Sequence, residues 1–500
     1  METHVEQEVK LQVPRRFDLR LLEAGVNGLS ASPVEEHKLF TVYYDTEDLR
    51  LIRWGSALRH RKGQGWTLKL SVADEDRSDD GIPAVKRVEY NFPDEGTKPP
   101  AQALDLVTAF LRGKPVTPVA RLRTIRKSLR LHGTAGEEIA EVVDDDVRVM
   151  RDGHVADRFR ELEVELLEGA SGSVLADLTK WLQDAGAGSF DQTSKAVRAL
   201  GTAAALPPEL VVPCSTADST PADVVRHALA SSVEELLHHD VALRINMDPE
   251  VVHKARVATR RLRSDLRTLL PLLDEDWAQS LRDHVKWLGD ELGSVRDSDV
   301  LVARLRRDAA QLPDEDREAA EDVIDLFDAQ ATAARQRLHG VMHEKRYVEL
   351  LDELVEAAAN PRLSPESEQP ATDILPKLVA RPWKKLRKAV NSLPNDADDD
   401  ALHKIRIKAK RCRYAAEAIA PVFGKPVARF AKRMEALQTV LGELHDSVVA
   451  EDRLRQIKGE AHSFVAGGLA ALEAQAANKV RESWRKAWKK ASKRKLRSWM

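Results

Sequence analysis

At 500 residues the chain exceeds what one ordinary hydrophobic core fills, so roughly two to four domains are expected. Its 43% hydrophobic and 32% charged content suits folded globular protein, and no apolar run approaches the roughly eighteen residues of a membrane span. Glu2, Glu6 and Glu8 stand where a secretory leader would be basic and then apolar, so a cytoplasmic protein is expected; with only Cys214 and Cys412, in unlike surroundings, a disulfide framework and a cysteine metal site are excluded.

The first predicted element is the strand Val5 to Val13, where Val5, Val9, Leu11 and Val13 alternate with Glu6, Glu8, Lys10 and Gln12. A helix is predicted over Arg16 to Ala24, then strands at Lys38 to Asp45, Ala57 to Arg61, Trp66 to Ser71 and Lys86 to Asn91. Further strands follow at Val119 to Leu131, Glu138 to Val143, Arg148 to Arg151 and Phe159 to Leu166, with helices at Ala101 to Leu111 and Val174 to Ala185. Many antiparallel strands imply a barrel or sandwich. The stretch Thr202 to Pro221 breaks all periodicity and is read as a linker, residues 202–221, after a first domain over 1–201.

Beyond it the spacing is helical. Asp248-Pro249-Glu250 has the N-cap acid and N1 proline of a helix start. A repeat spans a second linker at Asn360 to Pro376: Val252 to Arg263 is echoed by Leu402 to Arg413, and Leu292-Gly-Ser-Val-Arg-Asp297 by Leu441-Gly-Glu-Leu-His-Asp446. Residues 222–490 are therefore read as an all-α duplicated bundle with halves at about 222–359 and 371–490, followed by a basic tail at 491–500.

The net charge of -3 hides segregation: acids gather at Asp74 to Asp80, Glu137 to Asp146 and Asp396 to Asp400, and bases at Lys254 to Arg267, Lys404 to Arg413 and Lys479 to Arg497. His253, Arg256, Arg260, Arg263 and Arg267 step by three and four, as do His403, Arg406, Lys410 and Arg413, so each set lies along one helix stripe. Such stripes repel themselves unless a polyanion neutralises them, and a pseudo-twofold would join them into one groove. The plainer alternative pairs them with Asp283, Asp290, Glu291 or Glu443 on neighbouring helices. The Lys479 to Arg497 stretch carries ten basic residues against Glu482, but Trp484 and Trp488, four apart, suit packing better than nucleic-acid or membrane binding.

In the first domain one charged strand face would mean only a wet surface. Charges alternate with apolar residues on strand after strand, however, which suggests a barrel with a charged interior. Lys10, Arg59, Arg61, Lys69, Arg87, Arg121, Arg123 and Lys195 are the candidates to cradle phosphates, Arg by bidentate bonds and Lys as a point charge. Glu6, Glu8, Asp145, Glu163 and Glu165 offer hard oxygen ligands for Mg2+ or Mn2+.

The ordered set Glu6-x-Glu8-x-Lys10, Tyr43-Tyr44-Asp45-Thr46, Leu58-Arg59-x-Arg61, Thr67-Leu68-Lys69, Arg87-x-Glu89, Glu161-x-Glu163-x-Glu165 and Ser194-Lys195 resembles the CYTH group of triphosphate tunnel metalloenzymes. His253 and His403 with their Arg/Lys repeats resemble the CHAD domain. The resemblance implies a multi-domain α+β chain: an eight-stranded antiparallel barrel holding a triphosphate end-on, then a helical domain associated with inorganic polyphosphate. It implies metal positions at Glu6, Glu8, Glu163 and Glu165, and catalytic phosphate positions at Lys10, Arg59, Arg61, Lys69, Arg87 and Lys195. Asp145 is chosen over Asp144 and Asp146 because it shares a strand face with Glu141, and Arg126 is held as a substitute for Arg121 or Arg123. The implied activity is metal-dependent hydrolysis of inorganic triphosphate, with thiamine triphosphate or ATP as other substrates and a non-catalytic polyphosphate-binding, granule-associated protein as the other class of reading. Polyphosphate contacts are assigned to His253, Arg256, Arg260, Arg263, His403, Arg406, Lys410 and Arg413.

Overall fold

The computed structural model describes residues 2–71, 84–93, 96–167, 170–394 and 396–500, the side chains of 460 and 461 excepted. The acidic run Asp74 to Asp80 lies outside the described residues. The chain divides into two compact units, Met1–Glu209 and Leu210–Met500.

In the first unit β1 (Glu2–Gln12), β2 (Ser30–Ala31), β3 (Glu35–Asp45), β4 (Ala57–Arg61), β5 (Gly65–Ser71), β6 (Val85–Phe92), β7 (Thr117–His132), β8 (Glu138–Arg151) and β9 (His154–Leu166) form one antiparallel sheet. The order is β2-β7-β3-β4-β5-β6-β1-β9-β8, and β8 pairs back onto β7. Eight strands thus close a barrel, as the charge alternation and the family resemblance imply, and β2 adds two residues to β7. Five helices accompany it among the described residues: α1 (Arg50–Arg53), α2 (Ala101–Leu106), α3 (Thr108–Leu111), α4 (Gly172–Asp184) and α5 (Lys195–Leu200).

Apolar packing decides which face of each strand turns inward. Val9 and Leu11 of β1 and Leu162 and Val164 of β9 are fully buried against Leu175, Leu178 and Leu182 of α4, on the outside of the barrel. Burying each such side chain contributes about 1.5–3 kcal/mol. Because side chains alternate, Glu6, Glu8 and Lys10 are driven to the interior. One end of that interior is apolar, where Tyr43, Leu122, Val147 and Val149 pack on Ala196 of α5. Asp45 closes the local frame by accepting the backbone N–H groups of Thr46, Leu51 and Ile52, which nucleates α1.

Several elements differ from the sequence reading for identifiable reasons. Glu138 to Val143 and Arg148 to Arg151 belong to one strand, because each intervening aspartate has a cation: Asp144 pairs with Arg160, Asp145 with Arg126 and Asp146 with Arg158. The Arg16 to Ala24 segment is a 3-10 helix, Leu19–Ala24, capped by Asp18. The helix read over Ala101 to Leu111 breaks at Val107 into α2 and α3.

The second unit is helical: α6 (Pro221–Ile245), α7 (Pro249–Thr268), α8 (Glu275–Ala309), α9 (Arg317–Met342) and α10 (Lys345–Ala359), then α11 (Ala371–Asn391), α12 (Asp399–Phe423), α13 (Lys425–Leu454) and α14 (Glu460–Ala491). Thr220 and Asp223 form a capping box at α6, and Asp248 caps α7 ahead of Pro249. Successive helices pack within α6–α9 and within α11–α14, and α7 meets α12 across the repeat. Trp488 stacks on Trp383, and Trp499 meets Phe430 edge-on, so these tryptophans of the basic C-terminal stretch pack on α11 and α13.

Candidate functional site

A cavity of about 530 Å³ occupies the barrel. Strand parity sends Arg59 and Arg61 (β4), Lys69 (β5), Arg87 (β6) and Arg126 (β7) into its wall, with Lys195 entering from the first turn of α5. Carboxylates stand among them. Lys69 Nζ lies 2.7 Å from Glu6 and also contacts Glu89, which in turn faces Arg59 at 3.8 Å. Arg87 reaches Glu8 at 3.0 Å, and Lys10 lies 3.3 Å from Glu8 and touches Glu163. Beneath the wall, Lys195 is held by Glu161 at 2.6 Å, Glu163 at 2.8 Å and Asp145 at 3.0 Å.

These pairs set the charge states. Burial pulls the Lys10 ammonium down, but Glu163 and Glu8 more than offset it and hold Lys10 above its ordinary range. Lys195 is held well above its range against burial by Glu161, Glu163 and Asp145. Burial raises the Glu163 carboxyl, yet Lys10, Lys195 and Arg126 leave it well below the usual carboxylate range. Arg61 shows the opposite imbalance: burial, then Arg59 and Arg126, pull it down to about 9, the mark of a cation beside cations.

The acidic side of the cavity fits a hard divalent cation by chemistry. Glu8 and Glu165 are cross-strand partners and Glu6 shares their face on β1. Burial, then Glu6, push Glu165 up to about 8, with Glu8 and Glu89 adding to the effect. Such like-charge crowding is what a cation relieves. Among the described residues, no group of three or more His, Cys, Asp or Glu side chains is arranged to hold a metal ion. Glu6 and Glu8 instead occupy Lys69, Arg87 and Lys10, so the donors are present but not gathered into a coordination sphere.

Two expected phosphate contacts lie elsewhere. Arg121 and Arg123 are exposed on the outer face of β7, where Arg123 sits over the ring of Phe40. The even-numbered residues of that strand face inward, so Arg126 enters the cavity and grips Asp145 through two hydrogen bonds of 3.0 and 2.7 Å. Asp144 and Asp146 turn outward to Arg160 and Arg158, which leaves Asp145 as the interior aspartate. Glu161 and Glu89, which carry no assigned role in the sequence reading, belong to the site through Lys195 and Lys69. Parity with Glu163 and Glu165 was the signal for Glu161; for Glu89 it was parity with Arg87.

The second unit holds a separate cavity of about 380 Å³ lined by His253, Arg256 and Arg260 of α7 and by Arg406 and Lys410 of α12. Arg296 and Asp297 of α8 and His445 and Asp446 of α13 also line it, residues that the repeat marks but charge spacing alone does not select, together with Arg304 and Arg453, which neither signal marks. Burial, then Arg260, Arg406 and Arg256, pull Lys410 down to about 7. His445 falls to about 4 through burial, His403 and Arg406. His403 itself lies against the His445 ring, centroids 4.2 Å apart. Four stripe members are absent from the cavity lining: His403, Arg267, Arg413, which turns to Glu417 at 2.6 Å and Glu435 at 2.8 Å, and Arg263, which faces Asp290 at 3.9 Å. The first Leu-Gly motif lets Arg256 lie close to α8, since a Cβ at Gly293 would stand 2.7 Å from Arg256 Nη1.

The CYTH domain profile matches residues 4–199 and the CHAD domain profile residues 227–455. The chain is 32% identical over 514 residues to the uncharacterised Mycobacterium tuberculosis protein Rv2226, covering 94% of each. Among solved structures it resembles PptA from Streptomyces chartreusis, with 23% identity over 54% of this chain and 100% of that one and a TM-score of 0.44. A CHAD domain from the plant Ricinus communis is 24% identical over 59% of this chain and 97% of that one, TM-score 0.44. A Hippeastrum protein described as revealing a dominant triphosphatase activity is 18% identical over 38% of this chain and 94% of its own, TM-score 0.25.

Proposed function

This chain belongs to the family that joins a CYTH domain to a CHAD domain, and from that premise we propose that its barrel hydrolyses inorganic triphosphate while its helical unit binds inorganic polyphosphate. CYTH domains are metalloenzyme tunnels that use divalent metals and act on triphosphates. The reading is carried by the convergence of Arg59, Arg61, Lys69, Arg87, Arg126 and Lys195 on one cavity.

The steps follow from the ion pairs. Arg59, Arg61 and Arg87 take phosphoryl oxygens through forked hydrogen bonds. Lys69 exchanges Glu6 or Glu89 for phosphate, and Arg87 exchanges Glu8, so substrate entry releases the carboxylates as oxygen donors. Lys10 and Lys195, held charged by Glu163 and Glu161, neutralise the phosphoryl group and keep its electrostatic setting fixed. Glu6, Glu8 and Glu165 would hold Mg2+ or Mn2+, which would supply positive charge against the phosphoryl oxygens and a more acidic water as nucleophile. Asp145 is a positioning residue that orients Arg126 and Lys195. Purified protein with Mg2+ or Mn2+, given tripolyphosphate, thiamine triphosphate, ATP and long polyphosphate, is expected to release phosphate fastest from tripolyphosphate. No release above a Glu6→Ala, Glu8→Ala control would end the reading.

Polyphosphate binding rests on the joining of His253, Arg256 and Arg260 with Arg406 and Lys410 around one cavity. Alanine at Arg256, Arg260, Arg406 and Lys410 is expected to abolish polymer binding and leave tripolyphosphate turnover nearly intact. Polymer affinity should fall steeply with salt, as counterion release requires. Binding that survives the replacements would remove the groove from the account, and binding without any turnover would favour a non-catalytic polyphosphate-binding protein.

A further inference from the structure

A third cavity, of about 280 Å³, opens between α7, α11 and α12 and shares no lining residue with the one centred on Lys410. Its charged lining is all of one sign: Arg267 from α7, Arg381 and Lys385 from α11, Lys408 and Arg411 from α12. None of these five has an ion pair or hydrogen-bond partner among the described residues, in a chain whose acids outnumber its bases, 81 to 78. Burial, then Arg411 and Arg282, pull Arg267 down to about 10, so the cations feel one another.

The duplication supplies an internal control. In the repeat, Arg261 corresponds to Arg411 and Arg267 to Glu417. Where the first copy has Arg267 the second has a carboxylate, and Glu417 closes its own side by pairing with Arg261 at 3.1 Å and Arg413 at 2.6 Å. Only the Arg267 side keeps its cations free of carboxylates.

The floor differs from the groove at Lys410 in a second way. Leu270, Pro271, Leu378 and Pro382 present aliphatic surface between the cations, and the hydroxyls of Ser264 and Thr268 stand at its edge. An all-phosphate chain has no group that gains by covering such a floor. A phosphate ester does, because its carbon skeleton displaces water from the aliphatic surface while its phosphoryl oxygens meet the guanidinium groups.

We propose that this cavity is a binding site for an organic phosphate of the nucleoside diphosphate class, separate from the barrel and from the groove at Lys410. The arginines Arg267, Arg381 and Arg411 take the phosphoryl oxygens, Lys385 and Lys408 add charge, and the aliphatic floor takes the nucleoside. The proposal stands whether or not the barrel is a triphosphatase.

The test is calorimetric titration of ADP and of inorganic pyrophosphate into the full chain. EDTA is present to stop turnover, and Arg59→Ala with Lys69→Ala is built into every sample to silence the barrel. ADP is expected to bind at least about tenfold more weakly to Arg267→Glu, Arg411→Glu, a difference of about 1.4 kcal/mol. Arg256→Ala with Arg406→Ala is likewise built into every sample to silence the groove at Lys410, and pyrophosphate should then bind several-fold more weakly than ADP. Lys385→Glu, Lys408→Glu is a second reversal on another pair of cations, for use if the first variant fails to fold by circular dichroism. Unchanged ADP binding in a folded reversal variant, or pyrophosphate binding as tight as ADP, overturns the proposal.

Discussion

Lys10 and Lys410 are the same side chain placed in two opposite electrical settings. In the barrel, Lys10 is buried against Glu163 and Glu8 and held above its ordinary range. In the helical cavity, Lys410 is buried against Arg260, Arg406 and Arg256 and falls to about 7. Burial penalises both ammonium groups, so the sign of the result comes from the neighbours. The barrel interior balances its charges internally and must exchange partners to admit an anion. The helical cavity leaves Lys410 among cations that no carboxylate at its side offsets.

The widest separation between the two regions is expected in metal dependence. Glu6→Gln with Glu8→Gln, or EDTA on the wild type, removes hard oxygen ligands or the ion they serve. Metal-ion catalysis supplies several kcal/mol of transition-state stabilisation, so kcat/KM for tripolyphosphate should fall about a thousandfold or more. Polyphosphate binding to the helical unit, followed by filter retention, should be unchanged. A parallel loss of both would mean that the two regions do not differ in metal dependence.

Stability should move in opposite directions when one arginine is removed from each region. Arg126→Ala leaves Asp145, fully buried, with Lys195 as its remaining close cation, and breaking a buried pair costs about 3 kcal/mol. Arg260→Met takes a guanidinium with an unpartnered buried Nε out of a cationic cluster, and should raise the melting temperature. Denaturant midpoints of the two variants measure this, and a large loss of stability in Arg260→Met would show the cavity to be internally balanced after all.

How much of this was legible in the sequence depended on whether one element sufficed. Period-two alternation within β1 or β9 was enough to put Glu6, Glu8, Lys10, Glu163 and Glu165 on shared faces, because Val9 and Leu11 of β1 and Leu162 and Val164 of β9 alternate with them and are buried on the opposite face. β7 offered arginines on both of its faces. Only its register with β8, where Arg126 stands opposite Asp145, tells the inner arginine from the outer Arg121 and Arg123, and register is a property of two strands. The helical stripes were visible from three-and-four spacing. That Arg413 leaves its stripe depends on Glu417 one turn on and on Glu435 in α13, which no spacing rule within the stripe reveals.

A smaller effect concerns protons. Lys410 is lowered in the folded protein, so folding is disfavoured by its charging below about pH 7, and that penalty is relieved as pH rises toward the unfolded value of 10.5. Binding a polyanion works the other way by restoring the charge. Polymer affinity should therefore decline as pH rises above 7, by at most about tenfold per pH unit, with proton uptake on binding at pH 8. Titrations in buffers of different ionisation heat measure that uptake. Lys410→Arg should abolish it, and uptake that persists in this variant would assign the proton elsewhere.

The finest distinction lies within the helical cavity, between the two glycines of the repeat. Gly293 and Gly442 occupy equivalent positions, yet a Cβ at Gly293 would stand 2.7 Å from Arg256 Nη1, whereas at Gly442 the nearest atom, Arg406 Nε, is 3.6 Å away. Gly293→Ala must move the end of Arg256, breaking its 2.9 Å hydrogen bond to the Gly289 carbonyl, while Gly442→Ala makes an ordinary contact. Both substitutions replace glycine inside a long helix, which by propensity alone stabilises by about 0.5–1 kcal/mol. Gly442→Ala should therefore melt higher and bind polymer as the wild type does. Gly293→Ala should bind several-fold more weakly without a matching loss of stability, since an arginine tip can swing aside at little cost to packing. Equal polymer affinity in the two variants would mean that the position of Arg256 does not matter to the bound anion. The groove would then act through its total charge and not through the placement of its arginines.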